Sequence, residues 1–202
     1  MIHEQTDAVV IGAGHAGLAM SYCLKEFGVT HLVLERGMVA ERWRTERWDS
    51  LTLLTPNWMT QLPGFRYSGT EPDGFAGRDE YIAFLEQYAR SFGAPVRAGV
   101  NVRSLSRDEV TGRYDLDTSA GAIRAEAVVI ATGPFHVASI PSFSAAVPQT
   151  ITQIHTSAYR SPHQLPTGAV LVIGSGNSGA QIAEELVNTP AANSMVKPSK
   201  AS

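Results

Sequence analysis

At 202 residues the chain has room for one large domain or two small ones. Its apolar fraction of 44% suits an ordinary globular core, and a formal net charge of −3 points to neither nucleic acid nor an anionic membrane as partner. A single cysteine, Cys23, leaves no intramolecular disulfide and no Cys-x-x-Cys redox pair. No apolar run is long enough to span a bilayer, and Met1-Ile-His-Glu-Gln-Thr-Asp7 lacks the basic and apolar regions of a signal peptide, so the expected compartment is the cytoplasm.

The first informative stretch covers residues 7–35. Asp7-Ala-Val-Val-Ile11 predicts a buried strand, and Gly12-Ala-Gly14-His15-Ala16-Gly17 a glycine-rich turn that opens a helix. His31-Leu-Val-Leu-Glu35 predicts a second strand ending in a carboxylate. Gly12 permits the tight turn, Gly14 lets the backbone approach a pyrophosphate, and Gly17 lets helix and strand pack closely. The helix N-terminus offers free N–H groups and positive dipole charge to phosphates. Glu35 stands where a carboxylate accepts hydrogen bonds from both ribose hydroxyls; it disfavours a 2′-phosphate, so the first site expects FAD or NAD rather than NADP. A glycine run can also close an ordinary turn, but the full strand–turn–helix–strand–acid context favours the dinucleotide reading.

The helix is expected to put Leu18, Tyr22 and Phe27, with Ala19 and Cys23, on one side and Lys25 and Glu26 on the other, with Gly28 as its stop. Cys23 reads as a small buried hydrophobe. Glu41-Arg42-Trp43-Arg44-Thr-Glu-Arg-Trp48 has two equal readings. One is a charge-balanced turn of helix with two aromatic anchors; the other puts Arg42 or Arg44 near a pyrophosphate and Trp43 against a flavin or ribose. Residues 49–77 hold Thr55-Pro56, Pro63-Gly64 and Pro72-Asp-Gly74, a long irregular stretch of the kind that carries function. Residues 78–92 predict a second helix, its Tyr81, Leu85, Tyr88 and Phe92 stripe belonging to the core, with Gly93 ending it.

From residue 100 to 130 the period changes to two. Val102-Arg-Ser-Leu-Ser, Gly112-Arg-Tyr-Asp-Leu-Asp and Ala122-Ile-Arg-Ala-Glu-Ala-Val-Val-Ile130 predict an antiparallel meander. The last strand becomes continuously apolar, as a central parallel strand does, and ends in Ala131-Thr132-Gly133, a small turn of the kind that brings backbone to ligand. The fingerprint then returns. Residues 168–173 predict a strand, Gly174-Ser-Gly176-Asn177-Ser178-Gly179 repeats the glycine spacing, and residues 180–187 are helical. Two such turns suggest a flavin site and a nicotinamide site. The returning strand of the second unit is absent from the sequence.

Other chemistries fail on their residues. The six histidines are scattered without metal-ligand spacing, and residues 176–180 miss the Gly-x-Ser-x-Gly elbow at their last position. A disulfide reductase needs a cysteine pair.

From about residue 6 to 187 the chain resembles the N-terminal part of the flavin-containing monooxygenases, the bacterial and plant YUCCA-type members above all. The resemblance rests on the two glycine turns, Glu35, Trp48-Asp-Ser-Leu-Thr-Leu-Leu-Thr-Pro56 as the flavin-facing segment, the helix over residues 81–92, Ala131-Thr-Gly-Pro-Phe135, and His155-Thr-Ser-Ala-Tyr159. Leu54 stands where animal and yeast-type members carry an asparagine, and Gln149 and Ile151 stand where a phenylalanine and glycine usually precede the histidine motif. The resemblance implies an α/β fold: a Rossmann-like FAD-binding βαβ with an antiparallel β-meander, plus the start of a second, NADP-binding Rossmann unit. It divides the chain into residues 1–166 for FAD, 167–187 for the incomplete NADP unit, and a polar tail over 188–202.

It further implies that NADPH reduces FAD and that a flavin C4a-hydroperoxide formed with O₂ oxygenates a small organic substrate, the flavin supplying the reactivity. The implied FAD-binding set is Gly12, Gly14, His15, Ala16, Gly17, Glu35, Arg36, Arg42, Trp43, Thr52, Val102, Thr132 and Gly133. For NADP it is Gly174, Gly176, Asn177, Ser178 and Gly179. No acid–base pair and no metal is implied. His155 reads first as a structural hydrogen-bonder and second as a nicotinamide contact. As a fragment of such an enzyme the chain is expected to be inactive alone; the competing reading is a non-catalytic binding or interaction module.

Overall fold

The computed structural model describes residues 4–134 and 137–189. Strand β1 (Glu4–Ile11) leads through the glycine turn into α1 (His15–Glu26), then β2 (His31–Leu34) and the short α2 (Glu41–Thr45). A two-strand hairpin, β3 (Gln61–Leu62) and β4 (Phe65–Arg66), precedes α3 (Arg78–Ser91). Then come β5 (Val96–Arg97), β6 (Val102–Arg107), β7 (Tyr114–Thr118) and β8 (Gly121–Ile130), and after a long connection α4 (Asn177–Asn188).

Six strands form one sheet in the order β5-β2-β1-β8-β7-β6. Strands β5, β2, β1 and β8 run parallel, while β8, β7 and β6 are the antiparallel meander. β8 serves both halves. It pairs with β1 from Glu4↔Ile123 to Ile11↔Ile130, while its ladder with β7 ends at Ala125 opposite Tyr114. The polar–apolar alternation of residues 122–126 and the apolar run that follows match those two environments.

The pleat sends neighbouring residues of β1 into different cores. Val10 faces α1 and α3, packing with Val33, Leu18, Leu85 and Tyr88; Val9 faces the meander, with Leu34, Leu116 and Ile123. The α3 stripe is core as expected, Leu85 and Tyr88 being fully buried, and each large side chain so buried contributes roughly 1.5–3 kcal/mol. Glu80 accepts a hydrogen bond from the Gly77 N–H at the start of α3 (2.8 Å), and Gly93 closes its end at φ 62°. α1 buries Gly17, Leu18 and Ser21. The Ser21 hydroxyl meets His31 Nε2 at 2.7 Å, and His31 Nδ1 lies 2.9 Å from the Val29 carbonyl. A carbonyl only accepts, so Nδ1 carries the proton and Nε2 accepts from Ser21.

Three sequence expectations need correction. Phe27 does not share the buried side of α1: it caps the helix and is 84% exposed, because the chain leaves the helical path there. Residues 168–173 form no strand; Leu171 and Ile173 are exposed, and no described strand pairs with them. Strand pairing needs a neighbour, which the apolar pattern alone does not supply. Residues 49–77 are less irregular than their composition implies. Leu53 N–H donates to the Ala76 carbonyl (2.9 Å), Arg78 N–H to Leu51 (2.8 Å) and Asn57 N–H to Gly74 (2.8 Å), and Thr52 bridges Gly77 antiparallel. The strands β3, β4 and β5 were not anticipated, being two residues each. Phe135 and most of the polar tail fall outside the described residues.

Two buried phenols make stability pH-dependent. Burial pushes Tyr88 well above the usual value of 10.0, and burial with the neighbouring Glu185 carboxylate does the same to Tyr159. The folded chain therefore keeps protons that the unfolded chain releases above pH 10. Stability is full below that pH and falls as pH rises past it, by about 1.4 kcal/mol per pH unit for each phenol. Urea midpoints measured from pH 9 to 11 should show this decline, and Tyr88→Phe and Tyr159→Phe should each flatten it. A midpoint independent of pH in wild type would contradict the burial argument.

Candidate functional site

The first glycine turn is braced from both sides. Gly12 has φ 107°, and a Cβ there would lie 2.6 Å from the Ala131 carbonyl oxygen. A Cβ on Gly17 would lie 1.9 Å from the Gly12 oxygen and 3.4 Å from the Ala131 Cβ. The small Ala131 is thus required by the close passage of β8's end over the turn, and its N–H donates to the Ile11 carbonyl at 2.8 Å. Gly14 differs: nothing lies within 4 Å of where its Cβ would be. No neighbour in the fold therefore requires a glycine at this position. α1 has no side-chain cap, and its first intrahelical bond runs from Leu18 N–H to the Gly14 carbonyl (3.0 Å). The N–H groups of His15, Ala16 and Gly17 precede that bond and point out of the helix start, His15 and Ala16 being exposed.

Glu35 sits 8% exposed just past β2. Its Oε2 accepts from the Ala13 N–H (2.9 Å) and its Oε1 from the Gly37 N–H (3.1 Å), which fixes the carboxylate beside the turn. Each oxygen keeps acceptor capacity for a further donor.

Three arginines gather about Glu46. Glu46 joins Arg36 (3.1 Å) to Arg42, and Arg42 Nη1 comes within 4.0 Å of the Cβ position of Gly133, itself at φ 81°. Arg47 is half-buried and donates to the Glu46 carbonyl (2.8 Å); burial, then the neighbouring Arg42 charge, lowers its pKa, Glu46 opposing and Arg160 adding to the effect. Three guanidinium groups gathered around one carboxylate make a region that favours anions. Arg44 turns away and pairs with Glu86 on α3. Trp43 packs edge-on to Tyr81, ring centres 4.6 Å apart, with the Arg47 guanidinium 5.7 Å from its own centre. Trp43 and Trp48 are thus aromatic anchors, and Arg42 reaches toward Gly133. α2 starts from Ala40, buried in left-handed backbone (φ 62°, ψ 27°), whose N–H donates to the Ala13 carbonyl (3.1 Å). That conformation costs a residue with a Cβ about 1–2 kcal/mol, and it links the loop after β2 to the glycine turn.

The second turn is a geometric copy of the first. Gly174 has φ 106°, a Cβ on Gly179 would lie 2.2 Å from the Gly174 oxygen, and nothing lies within 4 Å of a Cβ on Gly176. α4 begins without a side-chain cap at Asn177 and Ser178, its first bond running from Ala180 N–H to the Gly176 carbonyl (3.0 Å). The copy lacks the leading strand and the brace, since nothing lies within 4 Å of the Gly174 Cβ position.

α4 is docked on the first half of the chain. Ile182 and Leu186 are buried against Trp48, Leu51 and Tyr159. The Tyr159 hydroxyl donates to Glu185 (2.7 Å). His155 Nδ1 accepts from the Ser157 N–H (3.2 Å) and its carbonyl from the Ala158 N–H (2.8 Å), so His155 shapes the turn that presents Tyr159. These bonds make His155 a structural hydrogen-bonder of that turn. Thr52 has its backbone paired with Gln181 on α4, a residue the sequence did not single out because a glutamine one turn into a helix looks like solvent-facing polarity. Val102 opens β6, half-buried against the meander core; the neighbour tied to Glu35 is instead Val100, whose N–H donates to the Glu35 carbonyl (2.9 Å). Leu54 is exposed. Among the described residues no three His, Cys, Asp or Glu side chains are grouped to hold a metal, and no helix is long and apolar enough to cross a membrane.

Residues 9–202 match the pyridine nucleotide-disulphide oxidoreductase family. Among curated proteins, an uncharacterized CzcO-like oxidoreductase of Geobacillus kaustophilus is 42% identical over 181 residues, 89% of this chain and 51% of that protein. The indole-3-pyruvate monooxygenase YUCCA1 of Oryza sativa subsp. japonica is 34% identical over 94% of this chain and 47% of its own length. A solved flavin-containing monooxygenase from Stenotrophomonas maltophilia superposes with a TM-score of 0.83 at 28% identity, over 98% of this chain and 59% of that one. The chain thus spans about half the length of the relatives it matches.

Proposed function

The chain belongs to the pyridine nucleotide-disulphide oxidoreductase family, and from that premise we propose that it forms the flavin-binding part of an FAD- and NADPH-dependent monooxygenase acting on a small organic substrate with O₂. The observation that carries the reading is the pair of matching turns, Gly12–Gly17 and Gly174–Gly179, each with its middle glycine facing open space and an uncapped helix start beyond it. A pyrophosphate needs that arrangement: no Cβ in its path, and free N–H groups with a positive dipole ahead of it. The relatives named as monooxygenases support the class, and Glu35 separates the two sites, since its carboxylate repels a 2′-phosphate at the first turn only.

At the first turn His15, Ala16 and Gly17 donate backbone N–H groups to phosphate oxygens, and Glu35 accepts from the ribose hydroxyls with its remaining lone pairs. Arg36 and Arg42 add positive charge, Arg42 from the side where Thr132 and Gly133 bring backbone close. Thr52, Trp43 and Val102 would complete the flavin-binding set. Asn177, Ser178 and Gly179 offer the second helix start to NADP. Bound FAD would supply electron transfer and oxygen activation; the residues above bind and orient it. Disulfide chemistry lacks its cysteine pair in this chain. A cytoplasmic setting is part of the same proposal, supported by sparse cysteine usage.

The test is a titration of the purified chain with FAD, followed by flavin fluorescence. One flavin per chain, competed by ADP but far less by 2′,5′-ADP, whose 2′-phosphate Glu35 repels, is the expected result. A chain that leaves FAD free in solution at saturating concentration would overturn the assignment.

A further inference from the structure

Gln181 joins the two nucleotide units. Its Oε1 accepts the Thr52 N–H at 3.2 Å and its Nε2 donates to the Thr52 carbonyl at 3.0 Å. The side-chain amide thus satisfies both polar groups of one peptide residue, as a neighbouring strand does. On its other side the same strandlet is held by backbone: Leu53 N–H to Ala76, Arg78 N–H to Leu51, and the Thr52–Gly77 bridge. Residues 51–53 are therefore the middle of a three-part ladder whose third member is a single glutamine on α4. Gln181 stands two residues past Gly179, within the first turns of the helix that the second glycine turn opens. Apolar packing by Ile182 and Leu186 and the Tyr159–Glu185 bond hold α4 down independently, so Gln181 is free to act on orientation rather than on docking.

We infer that Gln181 is a positioning residue, a peptide-like clamp through which the helix of the second phosphate turn sets the strandlet facing the flavin. This rests on the proposed function for the identity of the flavin, but the clamp itself does not. A bidentate amide–backbone pair fixes both distance and rotation, which loose apolar packing does not. Thr52 is exposed, so water would replace a missing partner and let the strandlet move.

Gln181→Met keeps the volume and removes both hydrogen bonds; Gln181→Glu keeps the acceptor for the Thr52 N–H. Amide exchange at Thr52, read by NMR on the cofactor-free chain, should quicken roughly fivefold or more in the Met variant and stay near wild type in the Glu variant. In FAD-loaded protein the visible circular dichroism of the flavin should change in Gln181→Met at unaltered flavin stoichiometry, with Gln181→Glu restoring most of it. Equal exchange in all three proteins would overturn the clamp. Faster exchange with an unmoved flavin signal would overturn the positioning role. Wild-type chain that binds no FAD would instead remove the functional reading, and the flavin half of this inference with it, while the exchange comparison still decides the clamp.

Discussion

Gly17→Ala should destabilise the chain by about 3 kcal/mol and lower its melting temperature by on the order of 10 °C. The added methyl would meet the Gly12 oxygen at 1.9 Å, which is backbone and has nowhere to go. Gly12 N–H is bonded to the Leu34 carbonyl (2.8 Å), and on its other flank stands the Ala131 carbonyl. Relief therefore requires β1 and α1 to separate along the sheet's central seam. Gly179→Ala is the internal control. Its clash with the Gly174 oxygen, at 2.2 Å, is nearly as severe, but among the described residues no strand pairs behind the second turn, which can yield. The loss there should be smaller by about 1 kcal/mol or more. Thermal melts of the two variants side by side decide the matter, and equal losses would show that the second turn is braced as firmly as the first.

Gly14→Val should do the opposite: leave the fold and remove the flavin. The valine side chain enters open space, so the helix forms at a cost of about 1 kcal/mol or less from its poorer capping preference. That space is the approach of the pyrophosphate in the proposed function. Losing charge-assisted bonds of 1.5–3 kcal/mol should weaken FAD binding roughly 10- to 100-fold, enough to strip flavin during purification. Far-ultraviolet dichroism with the flavin-to-protein absorbance ratio gives both readouts from one sample. A yellow Gly14→Val protein with wild-type flavin content would move the cofactor away from this turn.

The contrast between these glycines was only half legible beforehand. The spacing of Gly12, Gly14 and Gly17 marks a dinucleotide turn, and so does its return at Gly174. Which glycine is hemmed in by the fold and which faces open space depends on where Ala131 passes, over a hundred residues later in the chain. The aromatic stripe of α3 and the change of period within β8 were readable because each depends on neighbours three to four, or two, residues apart.

Exposure and pairing were not readable in the same way. Phe27 follows the apolar spacing of α1 yet stands in solvent, residues 168–173 carry a strand pattern without a strand, and Gln181 has a polar side chain that turns out to act as a third strand. Local constraints were legible in the residues: positive φ at the turns, helix faces, the carboxylate at the end of β2. The tertiary structure alone decided that β8 closes over the first turn, that α4 rests on Trp48 and Leu51, and that Thr52 meets Gln181. The reason is physical. Backbone geometry and helical periodicity are set by atoms a few bonds apart, whereas a hydrogen bond across the fold depends on the summed path of the intervening chain, which no short pattern encodes.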